Sequence, residues 1–461
     1  MRQSARVLLA GAISLVAAVP RLAGQGFGVY EQNTCVMGRA GVAAARPCPD
    51  GSAIYFSPAG LAGLTGTHLS AGVTLVGAQG GFTDDFLAAK SDLKNPLIPV
   101  PNVYLTSQLN RKLTAGIGLF APYGLQTKWD PNTSQGRFIG YFTDVRSIYI
   151  QPTIGYEIIP SLKLGVGVAY IHSSLKLKQR ADLSSQAVPD ALRGTMLPPG
   201  VTFGMLGVPA GTDFADASLK ASGNGFAVNF GAIWKVNDQL SIGGHWLTRK
   251  EIRYDGDATF TQVSTGLTLP VAVGPLPAGT PVDAVLMTEF VSGGPLSNGG
   301  VSTGITMPQQ ASLGFAYKLN DAWSVMGDWQ YVAWSRFSTV NIDFANPGTP
   351  DLSLEPQNKN TNGFRFGAEY QYNSKLQLRG GYLHHNGASP RQFVTPLLPE
   401  ASRNEFTIGA GVILTPGLHA DLAYQYIKQD DRRGTVNFAA GNTGLYTFSA
   451  HLFGIGLAYT F

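Results

Sequence analysis

The two cysteines, Cys35 and Cys48, are the most reactive side chains in this chain of 461 residues. Both lie shortly after an apolar N-terminal stretch, and in an oxidising compartment such a pair can close a short loop as a disulfide. Metal binding is the weaker interpretation, because two thiols without His or acidic partners form a poor ligand set. The sequence therefore predicts no metal site, and it leaves the oxidation state of the pair open.

One stretch resembles an enzymatic signature. Residues 300–304 match the pattern G-x-S-x-G around Ser302. The nucleophile elbow of a hydrolase needs a strand before the serine and a helix after it. Here the motif lies in a Gly-rich stretch that runs into another strand-like segment, and His384-His385 has no acidic partner at ligand spacing. We therefore expect no enzymatic activity and no cofactor.

Composition limits the class of protein. Charged residues make up 13% of the chain and the formal net charge is +4. The charged share is about half that of soluble domains, and the net charge is too small and dispersed to indicate a nucleic-acid partner. No apolar run of about 18 residues follows the N-terminal stretch, which excludes a helical membrane protein.

The N-terminus has the features of an export signal. Arg2 and Arg6 precede the apolar stretch Val7–Val19, and Leu22-Ala23-Gly24 offers a cleavage point. This order of basic, apolar and small residues is typical of a secretory signal peptide. We therefore assign residues 1–24 to a signal peptide.

The last nine residues, Phe453–Phe461, indicate what kind of scaffold is exported. Large apolar residues occupy the odd positions, and Gly, Ala or Thr occupy the even ones. Successive side chains of a strand point to opposite faces, so one face is apolar and the other is small. The segments 226–234, 364–372 and 418–426 alternate in the same way but carry charged or polar residues on the second face. A soluble β-sandwich also alternates, but its strands are shorter and its charged face meets solvent.

Turns and loops complete this pattern. Long connections, at roughly 78–100, 124–141, 181–222, 255–307, 341–360, 386–402 and 430–445, alternate with short polar turns. The short turns are at residues 110–111, 159–161, 237–238, 320–321, 373–374 and 416–417. Short turns at one rim and long loops at the other are typical of outer-membrane barrels. We predict an all-β fold, a 14-stranded antiparallel transmembrane β-barrel formed by residues 67–461 in the outer membrane of a Gram-negative cell.

Residues 25–66 do not alternate. They are rich in Gly, Ala and Pro, yet they contain eight larger apolar or aromatic side chains: Phe27, Val29, Tyr30, Val36, Met37, Ile54, Tyr55 and Phe56. These side chains would be poorly shielded if the segment hung free in the periplasm. The sequence therefore predicts an N-terminal hatch that plugs the barrel.

The hatch segment resembles the N-terminus of the FadL family of outer-membrane transporters for long-chain fatty acids, some of which admit aromatic hydrocarbons. The resemblance rests on Gly26-Phe27-x-x-x-Glu31-Gln32, Gly38–Gly41 and Ser57-Pro58-Ala59-Gly60-Leu61. Further similar segments follow in order, at Ala121–Leu125, Trp329–Phe337 and Leu452–Phe461. The family usually has Asn where this chain has Ser57. The resemblance implies gating roles for Phe27, Glu31, Ser57, Pro58 and Ala59.

The resemblance also implies a hydrophobic ligand, and two apolar loops are candidates for its capture. Loop 181–222 contains Leu192, Met196, Leu197, Phe203, Met205 and Leu206, and loop 255–307 contains Leu269, Leu286, Met287 and Phe290. Loops this apolar either pack on each other as a lid or bind an apolar molecule between them. The family likeness favours a groove, with Lys176, Lys178, Arg180 or Arg249 near a ligand carboxylate.

The third strand contains Gly116, Gly118 and Pro122 close together. Proline removes a ladder hydrogen bond and glycine removes packing, so a kink or gap is expected there. The resemblance implies a lateral opening at this gap, although an early turn is the alternative. The inward-facing Asp328, Arg365, Glu369, Arg379 and Asp421 are expected to form ion pairs inside the barrel.

The function predicted is passive uptake of long-chain fatty acids or similar hydrophobic molecules, by capture in the loop groove, hatch rearrangement and lateral exit. Uptake of aromatic hydrocarbons, a lipid hydrolase and a water-filled porin are the alternatives. We expect a monomer in contact with outer-membrane lipid and lipopolysaccharide, with Asp84-Asp85 and Asp430-Asp431 as weak candidates for a divalent cation there.

Overall fold

The computed structural model describes residues 26–188, 198, 200–273, 276–337, 339–354, 357–435 and 443–461. The predicted signal peptide lies outside these residues. Twenty strands form one closed antiparallel sheet. They are β1 Thr67–Asp84, β2 Lys90–Asp92, β3 Ile98–Gln108, β4 Leu113–Lys128, β5 Phe142–Ile159, β6 Leu162–Asp182, β7 Asp213–Lys235, β8 Leu240–Leu247, β9 Lys250–Gln262, β10 Gly299–Met307, β11 Gln310–Lys318, β12 Trp323–Val332, β13 Val340–Phe344, β14 Leu352–Leu354, β15 Thr361–Gln371, β16 Leu376–His385, β17 Arg403–Thr415, β18 Leu418–Gln429, β19 Arg432–Thr435 and β20 Thr443–Thr460.

Several of these strands are the two halves of one wall strand. The strand β7 pairs with both β8 and β9, and β20 pairs with both β18 and β19. Counted this way, the wall is the predicted 14-stranded barrel. It closes where β1 pairs with β20, from His68 opposite Thr460 to Asp84 opposite Gly444.

The predicted short turns all join adjacent wall strands. The turn at residues 159–161, for example, lies between β5 and β6, and that at 416–417 lies between β17 and β18. The long connections are shorter than the sequence suggested, because the strands continue beyond the membrane. The strand β7 begins at Asp213, inside the predicted loop 181–222, and β9 reaches Gln262 in the next loop.

The outer face of the barrel is apolar, as the alternation predicts. In β20 the side chains of Phe453, Ile455 and Leu457 are each more than half exposed, whereas Gly454 lies inside against Thr34 of the hatch. In β15 Phe366 is 56% exposed while Arg365 is 2% exposed. Burying the charge matters, because a lipid-facing Arg costs about 2–4 kcal/mol at mid-depth.

Residues 26–66 lie inside the barrel. They form two single-turn helices, α1 Thr34–Met37 and α2 Ala53–Phe56, followed by a 3₁₀ turn at Pro58–Gly63. Asn33 caps α1, since its side chain accepts a hydrogen bond from the Val36 N–H. A third short helix, α3 Val282–Leu286, lies in the loop between β9 and β10. Among the described residues no helix has the length and apolar character needed to cross a membrane.

Candidate functional site

The 3₁₀ turn Pro58–Gly63 is seated on three glycines that lie side by side in the wall. Gly155, Gly165 and Gly231 face one another across β5, β6 and β7. A Cβ built on Gly165 would lie 2.2 Å from the Pro58 carbonyl carbon, and one on Gly231 would lie 2.8 Å from the Pro58 nitrogen. Only glycine allows this close approach of hatch and wall.

Polar side chains of the wall fix the hatch next to this seat. The Asn229 amide donates to the carbonyls of Ile54 and Tyr55, at 3.2 and 2.9 Å, and the Gln151 amide donates to Ile54 at 2.6 Å. The hydroxyl of Ser57 is buried and has no hydrogen-bond partner among the described residues.

Buried charges hold the opposite side of the hatch. Arg39 forms an ion pair of 2.6 Å with Glu369, and Arg379 lies 3.6 Å from Glu369 and pairs with Asp421. Asp328 accepts hydrogen bonds from the backbone N–H groups of Ala43 and Ala44, at 2.8 and 3.0 Å. Of the inward charges predicted to form ion pairs, Glu369, Arg379 and Asp421 do so. Among the described residues Asp328 and Arg365 form none and contact the hatch through hydrogen bonds instead.

Arg365 contributes in a different way. Its guanidinium lies 4.5 Å from the ring centre of Tyr30 and donates to the Gly41 carbonyl at 3.2 Å. A cation over an aromatic face is attracted to the ring, and more strongly where water is excluded. Tyr30 and Gly41 both belong to the hatch, so Arg365 too ties the wall to the plug.

The structure joins Cys35 and Cys48 in a disulfide that closes one side of the hatch. Asp50 lies beside them, within 4.8 Å, so the pair does have an acidic neighbour, contrary to the expectation from sequence. The two sulfurs are bonded to each other and are not available as thiolate ligands. Asp50 instead accepts hydrogen bonds from Asn33 and from the Ser52 hydroxyl.

A gap opens in the wall between β3 and β4. These strands pair only from Val103 opposite Leu119 down to Gln108 opposite Thr114. The opening is bounded above by Asn95, whose side chain donates to the Gln126 carbonyl at 2.7 Å. A β-bulge at Ala121-Pro122 lies beside it.

Two prolines explain why β3 does not pair with β4 here. The N–H of Gln108 points to the β1 side, and that of Leu109 points to the β4 side. Because donors alternate along an antiparallel strand, Pro99 and Pro101 occupy positions whose N–H groups would face β4. Proline has no N–H, so this edge lacks two ladder donors.

The hatch covers the free edge of β4 at this gap. The Val29 N–H donates to the Pro122 carbonyl at 2.8 Å, and the Gly124 N–H donates to the Phe27 carbonyl at 3.0 Å. The Gln32 side chain exchanges two hydrogen bonds with the backbone of Ala121, at 2.7 and 2.8 Å. Residues 27–29 thus form a short extra strand in the place that β3 leaves empty.

Two of the three residues predicted to open the wall lie elsewhere. Gly116 and Gly118 keep regular pairing with β3 and β5, so they do not interrupt the ladder. A Cβ on either would meet Ile54 of the hatch at 3.0 or 2.9 Å, which explains the need for glycine. Pro122 alone lies at the discontinuity.

An apolar cavity of about 620 Å³ lies inside the upper barrel. Phe27 of the hatch contributes to its lining, and Lys178 is the one basic residue among the described lining residues. The apolar wall of the cavity is formed by Leu125, Val145, Leu175, Leu177, Leu219, Ala258, Phe260, Ile305, Phe337, Val340, Ile342 and Phe344. A cavity of this size and lining suits a small hydrophobic ligand.

Comparison with known proteins agrees with this geometry. Residues 14–461 match the family described as outer membrane protein transport protein (OMPP1/FadL/TodX). This chain belongs to that family. A FadL-family protein is an outer-membrane transporter of hydrophobic compounds, and the family consists of transport channels rather than enzymes.

Individual relatives of this FadL-family chain are distant but cover its full length. Outer membrane protein P1 of Haemophilus influenzae is 26% identical over 497 aligned residues, with 100% of both chains covered. The 47 kDa outer membrane protein of Pasteurella multocida is 24% identical, with 99% of this chain and 98% of the relative covered. Both are named as outer-membrane proteins, which is the location predicted from sequence.

Solved structures show the same fold. A FadL homologue of Pseudomonas aeruginosa superposes with a TM-score of 0.79 at 19% identity, covering 95% of this chain and 100% of that one. The toluene transporter TodX of P. putida superposes with a TM-score of 0.70 at 19% identity, covering 95% and 99%.

The loop residues predicted to bind ligand do not line the cavity of this FadL-family protein. Phe203, Leu269 and Leu286 are buried against one another in a separate loop core, and Leu206 and Phe290 pack on it. Met205 and Met287 are 74% and 59% exposed. The described parts of the two loops therefore pack on each other, which was the alternative to a groove. Three residues of the predicted set, Leu192, Met196 and Leu197, lie outside the described residues.

The basic residues are also placed differently. Lys176 lies on the outer face of β6, because the inward positions of that strand are the buried Ile171, Ser173 and Leu175. Arg249 is exposed at the break between β8 and β9 and does not belong to the cavity lining. Lys178 borders the cavity next to the inward Leu177, but it shares the outward orientation of Lys176, so none of the four basic candidates points its charged group into the cavity.

Trp334 and Phe337 were not recognised as site residues from the sequence. The strand expected over 329–337 ends at Val332, and a 3₁₀ turn at Trp334–Arg336 follows. The buried Trp334 ring meets Phe27 edge to face at 4.8 Å, and Phe337 does so at 5.4 Å. Nothing in the local sequence indicated that the chain turns inward after Val332.

The serine motif has no catalytic geometry. Ser302 lies in the middle of β10, opposite Asp255 of β9 and Asp343 of β13. The next element is the strand β11, whereas a nucleophile elbow leads into a helix.

Proposed function

We propose that this protein takes up hydrophobic molecules passively, through the internal cavity and out of the wall gap between β3 and β4. The single observation that carries the proposal is the double role of the hatch N-terminus. Phe27 lines the cavity, while the backbone of Phe27 and Val29 is hydrogen-bonded to the free edge of β4. A ligand that displaces the Phe27 ring therefore pulls on the segment that closes the gap.

The energetic cost of this movement is modest. Residues 27–29 contribute two backbone hydrogen bonds to β4, and each such bond is worth about 0.5–1.5 kcal/mol net. Burial of apolar ligand surface supplies about 25 cal/mol per Å², so a ligand burying about 100 Å² more in the open state offsets these bonds. Transport then needs no energy source beyond the ligand gradient, and one chain supplies the whole route.

The substrate class follows from the cavity lining. An aromatic hydrocarbon needs only the apolar surface. A long-chain fatty acid also needs a partner for its carboxylate, since an unpaired charge is costly to bury. Lys178 borders the cavity, but its even position on β6 directs its ammonium group to the outer face with Lys176, so the described lining offers the cavity no cation. We therefore propose uncharged hydrophobic molecules such as aromatic hydrocarbons as the principal ligands, with long-chain fatty acids as the alternative.

Ligand binding tests the proposal directly. The purified protein is extracted with solvent for mass spectrometry, and palmitate and toluene are then titrated into the delipidated protein. Leu177→Glu places a carboxylate in the cavity and is expected to weaken both ligands at least tenfold. The matched control Met205→Glu, in the exposed loop, is expected to leave both unchanged. Equal affinities for the two variants would refute the cavity as the binding site.

Lys178→Met distinguishes the two ligand classes. Its ammonium group points away from the cavity, so the affinities for palmitate and toluene are both expected to stay the same. A loss of palmitate affinity of about tenfold would show that Lys178 holds the carboxylate and would favour fatty acids as the principal ligands. Steady ion conductance of the unliganded protein in planar bilayers would instead indicate a porin.

A further inference from the structure

The outer face of the upper wall carries a basic pocket that the transport route does not use. Lys176 of β6 lies directly opposite Lys220 of β7, and Lys178 lies two residues further along. Together with Ser218, Thr259 and Thr261 these lysines line a surface pocket of about 390 Å³. Like charges directly opposite each other destabilise a sheet, so the arrangement calls for an anionic partner.

The protein itself compensates this positive charge only in part. Among the ion pairs of the described residues, none within 4.0 Å involves Lys176, Lys178 or Lys220. Asp216, at one edge of the pocket, is engaged by the Tyr141 hydroxyl at 2.9 Å and lies 3.8 Å from Arg180. Asp257 lies directly opposite Lys220, and Asp144 lies directly opposite Lys176 but is paired with Arg146 at 2.6 Å, so the cluster keeps an excess of positive charge.

The distance of the pocket from the lipid-facing band of the barrel indicates which anionic molecule it meets. Tyr170 and Phe226, the last aromatic residues of the lipid-facing band on β6 and β7, are 38% and 64% exposed and lie 5.5 Å apart. Lys176 and Lys220 are each six residues beyond them, about 20 Å along the strand. With a strand tilt of about 40° the pocket lies roughly 15 Å above the aromatic girdle. This is the layer occupied by the sugar headgroups of the outer leaflet.

We propose that this pocket binds the phosphorylated sugar headgroup of lipopolysaccharide. Lys176 and Lys220 provide the charge, and the hydroxyls of Ser218 and Thr261 are placed to donate hydrogen bonds to phosphate oxygens. Basic residues next to an anionic lipid surface contribute additively to binding. Lys176, Lys220, Thr259 and Thr261 do not line the ligand cavity. Lys178 and Ser218 border both spaces but occupy outward positions, so the headgroup site is distinct from the transport route proposed above.

Binding of labelled lipopolysaccharide to the full-length protein in detergent tests the site. The double variant Lys176→Gln with Lys220→Gln is expected to bind at least about tenfold more weakly at low salt. The matched control is Lys235→Gln with Lys318→Gln, which removes the same charge from lysines at the periplasmic turns and is expected to bind normally. Heat-modifiable mobility on gels verifies that both variants are folded.

Two further probes identify the headgroup. Lipopolysaccharide treated with phosphatase is expected to bind the unsubstituted protein and the double variant with equal, weak affinity. Inorganic phosphate at concentrations matching the headgroup is expected not to displace the labelled lipid. Full binding by the double variant, or displacement by free phosphate at those concentrations, overturns the proposal.

Discussion

The backbone N–H of Gly26 donates a hydrogen bond of 2.9 Å to the carboxylate of Glu400, 374 residues further along the chain. The same carboxylate accepts hydrogen bonds from the N–H groups of Ala388 and Ser389, both at 3.0 Å. One buried side chain thus ties the first described residue of the hatch to the loop between β16 and β17. The gap between β3 and β4 is covered by the residues that immediately follow Gly26.

Removal of this side chain is expected to free the hatch N-terminus. Glu400→Ala leaves three backbone donors without their charged acceptor, and each such bond is worth about 1.5–3 kcal/mol. We expect amide exchange of residues 26–29 to accelerate at least tenfold while that of α1 stays unchanged. Exchange measured by mass spectrometry checks this, and unchanged rates at 26–29 would show that Glu400 does not hold the segment.

The docking of the hatch N-terminus should depend on pH. Burial raises the pKa of Glu400, although the N–H groups of Ser389, Gly26 and Ala388 and the charge of Arg432 act in the opposite direction. A raised pKa means that the contribution of this group to stability is full below the ordinary carboxyl pKa of about 4.3 and is lost as pH rises through the raised value. Protection factors of residues 26–29 should therefore be higher at pH 4 than at pH 7. The difference should vanish in Glu400→Gln, and greater protection at pH 7 would contradict the expectation.

The glycine seat of the hatch gives a prediction about leakage. Gly165→Ala places a Cβ 2.2 Å from the Pro58 carbonyl carbon, so the 3₁₀ turn has to move. We expect ion conductance in planar bilayers to rise severalfold above that of the native protein. Gly380→Ala is the matched control, since its Cβ would meet nothing closer than the Thr407 carbonyl oxygen at 3.7 Å. Equal conductance of the two variants would show that the seat does not seal the barrel.

A reversible crosslink can hold the wall gap closed. A Cβ on Gly124 would lie 3.7 Å from Val29 Cγ2, close enough for Val29→Cys and Gly124→Cys to form a disulfide. Oxidation is expected to abolish uptake while ligand still binds in the cavity, and a reductant is expected to restore uptake. The same pair made with Cys35→Ser and Cys48→Ser controls for the native disulfide. Full uptake by the oxidised protein would exclude this gap as the exit.

The native disulfide should stabilise the hatch. Cys35 and Cys48 are separated by 13 residues, and closing a loop of this length is worth about 3 kcal/mol in the chain-entropy account. Cys35→Ser with Cys48→Ser is expected to raise amide exchange throughout residues 33–50 and to leave the β1–β20 seam unaffected. Unchanged exchange in the hatch would mean that packing inside the barrel alone holds it.

A substitution in the loop core, the buried cluster that contains Phe203, Leu269 and Leu286, tests whether the apolar loops pack on each other or form a ligand groove. Leu269 is 2% exposed among other loop side chains, so Leu269→Ala should cost about 2–5 kcal/mol of loop stability. Ligand affinity should change less than twofold, because the residue does not line the cavity. Protease sensitivity measures loop stability, and palmitate titration measures ligand affinity. A large loss of affinity with intact loops would support the ligand groove instead.

Sequence reasoning succeeded for features that the residues of a single strand determine. The alternation around Phe453 and Phe366 predicted the lipid face correctly, since the two faces of a strand meet different solvents. It also predicted ion pairing by Glu369 and Arg379, because buried charges need partners. The number of wall strands followed from the turns.

Sequence reasoning failed where two distant segments decide the structure. Gly116 and Gly118 looked like a weak point of the wall, but they accommodate Ile54, some sixty residues earlier in the chain. Apolar loop residues such as Phe203 looked like a ligand groove, and no local pattern distinguishes a groove from mutual packing. Trp334 turns inward because the hatch residue Phe27 is there to receive it.

The prolines of β3 have a consequence for what happens after the hatch withdraws. If β3 had its full set of N–H donors, it would pair with β4 as soon as residues 27–29 left. The gap would then close again at once. Pro99 and Pro101 prevent this, because two missing amide hydrogens deny β4 a replacement partner. In the proposed route the gap is therefore a fixed feature of the barrel wall, and the position of the hatch alone determines whether it is closed.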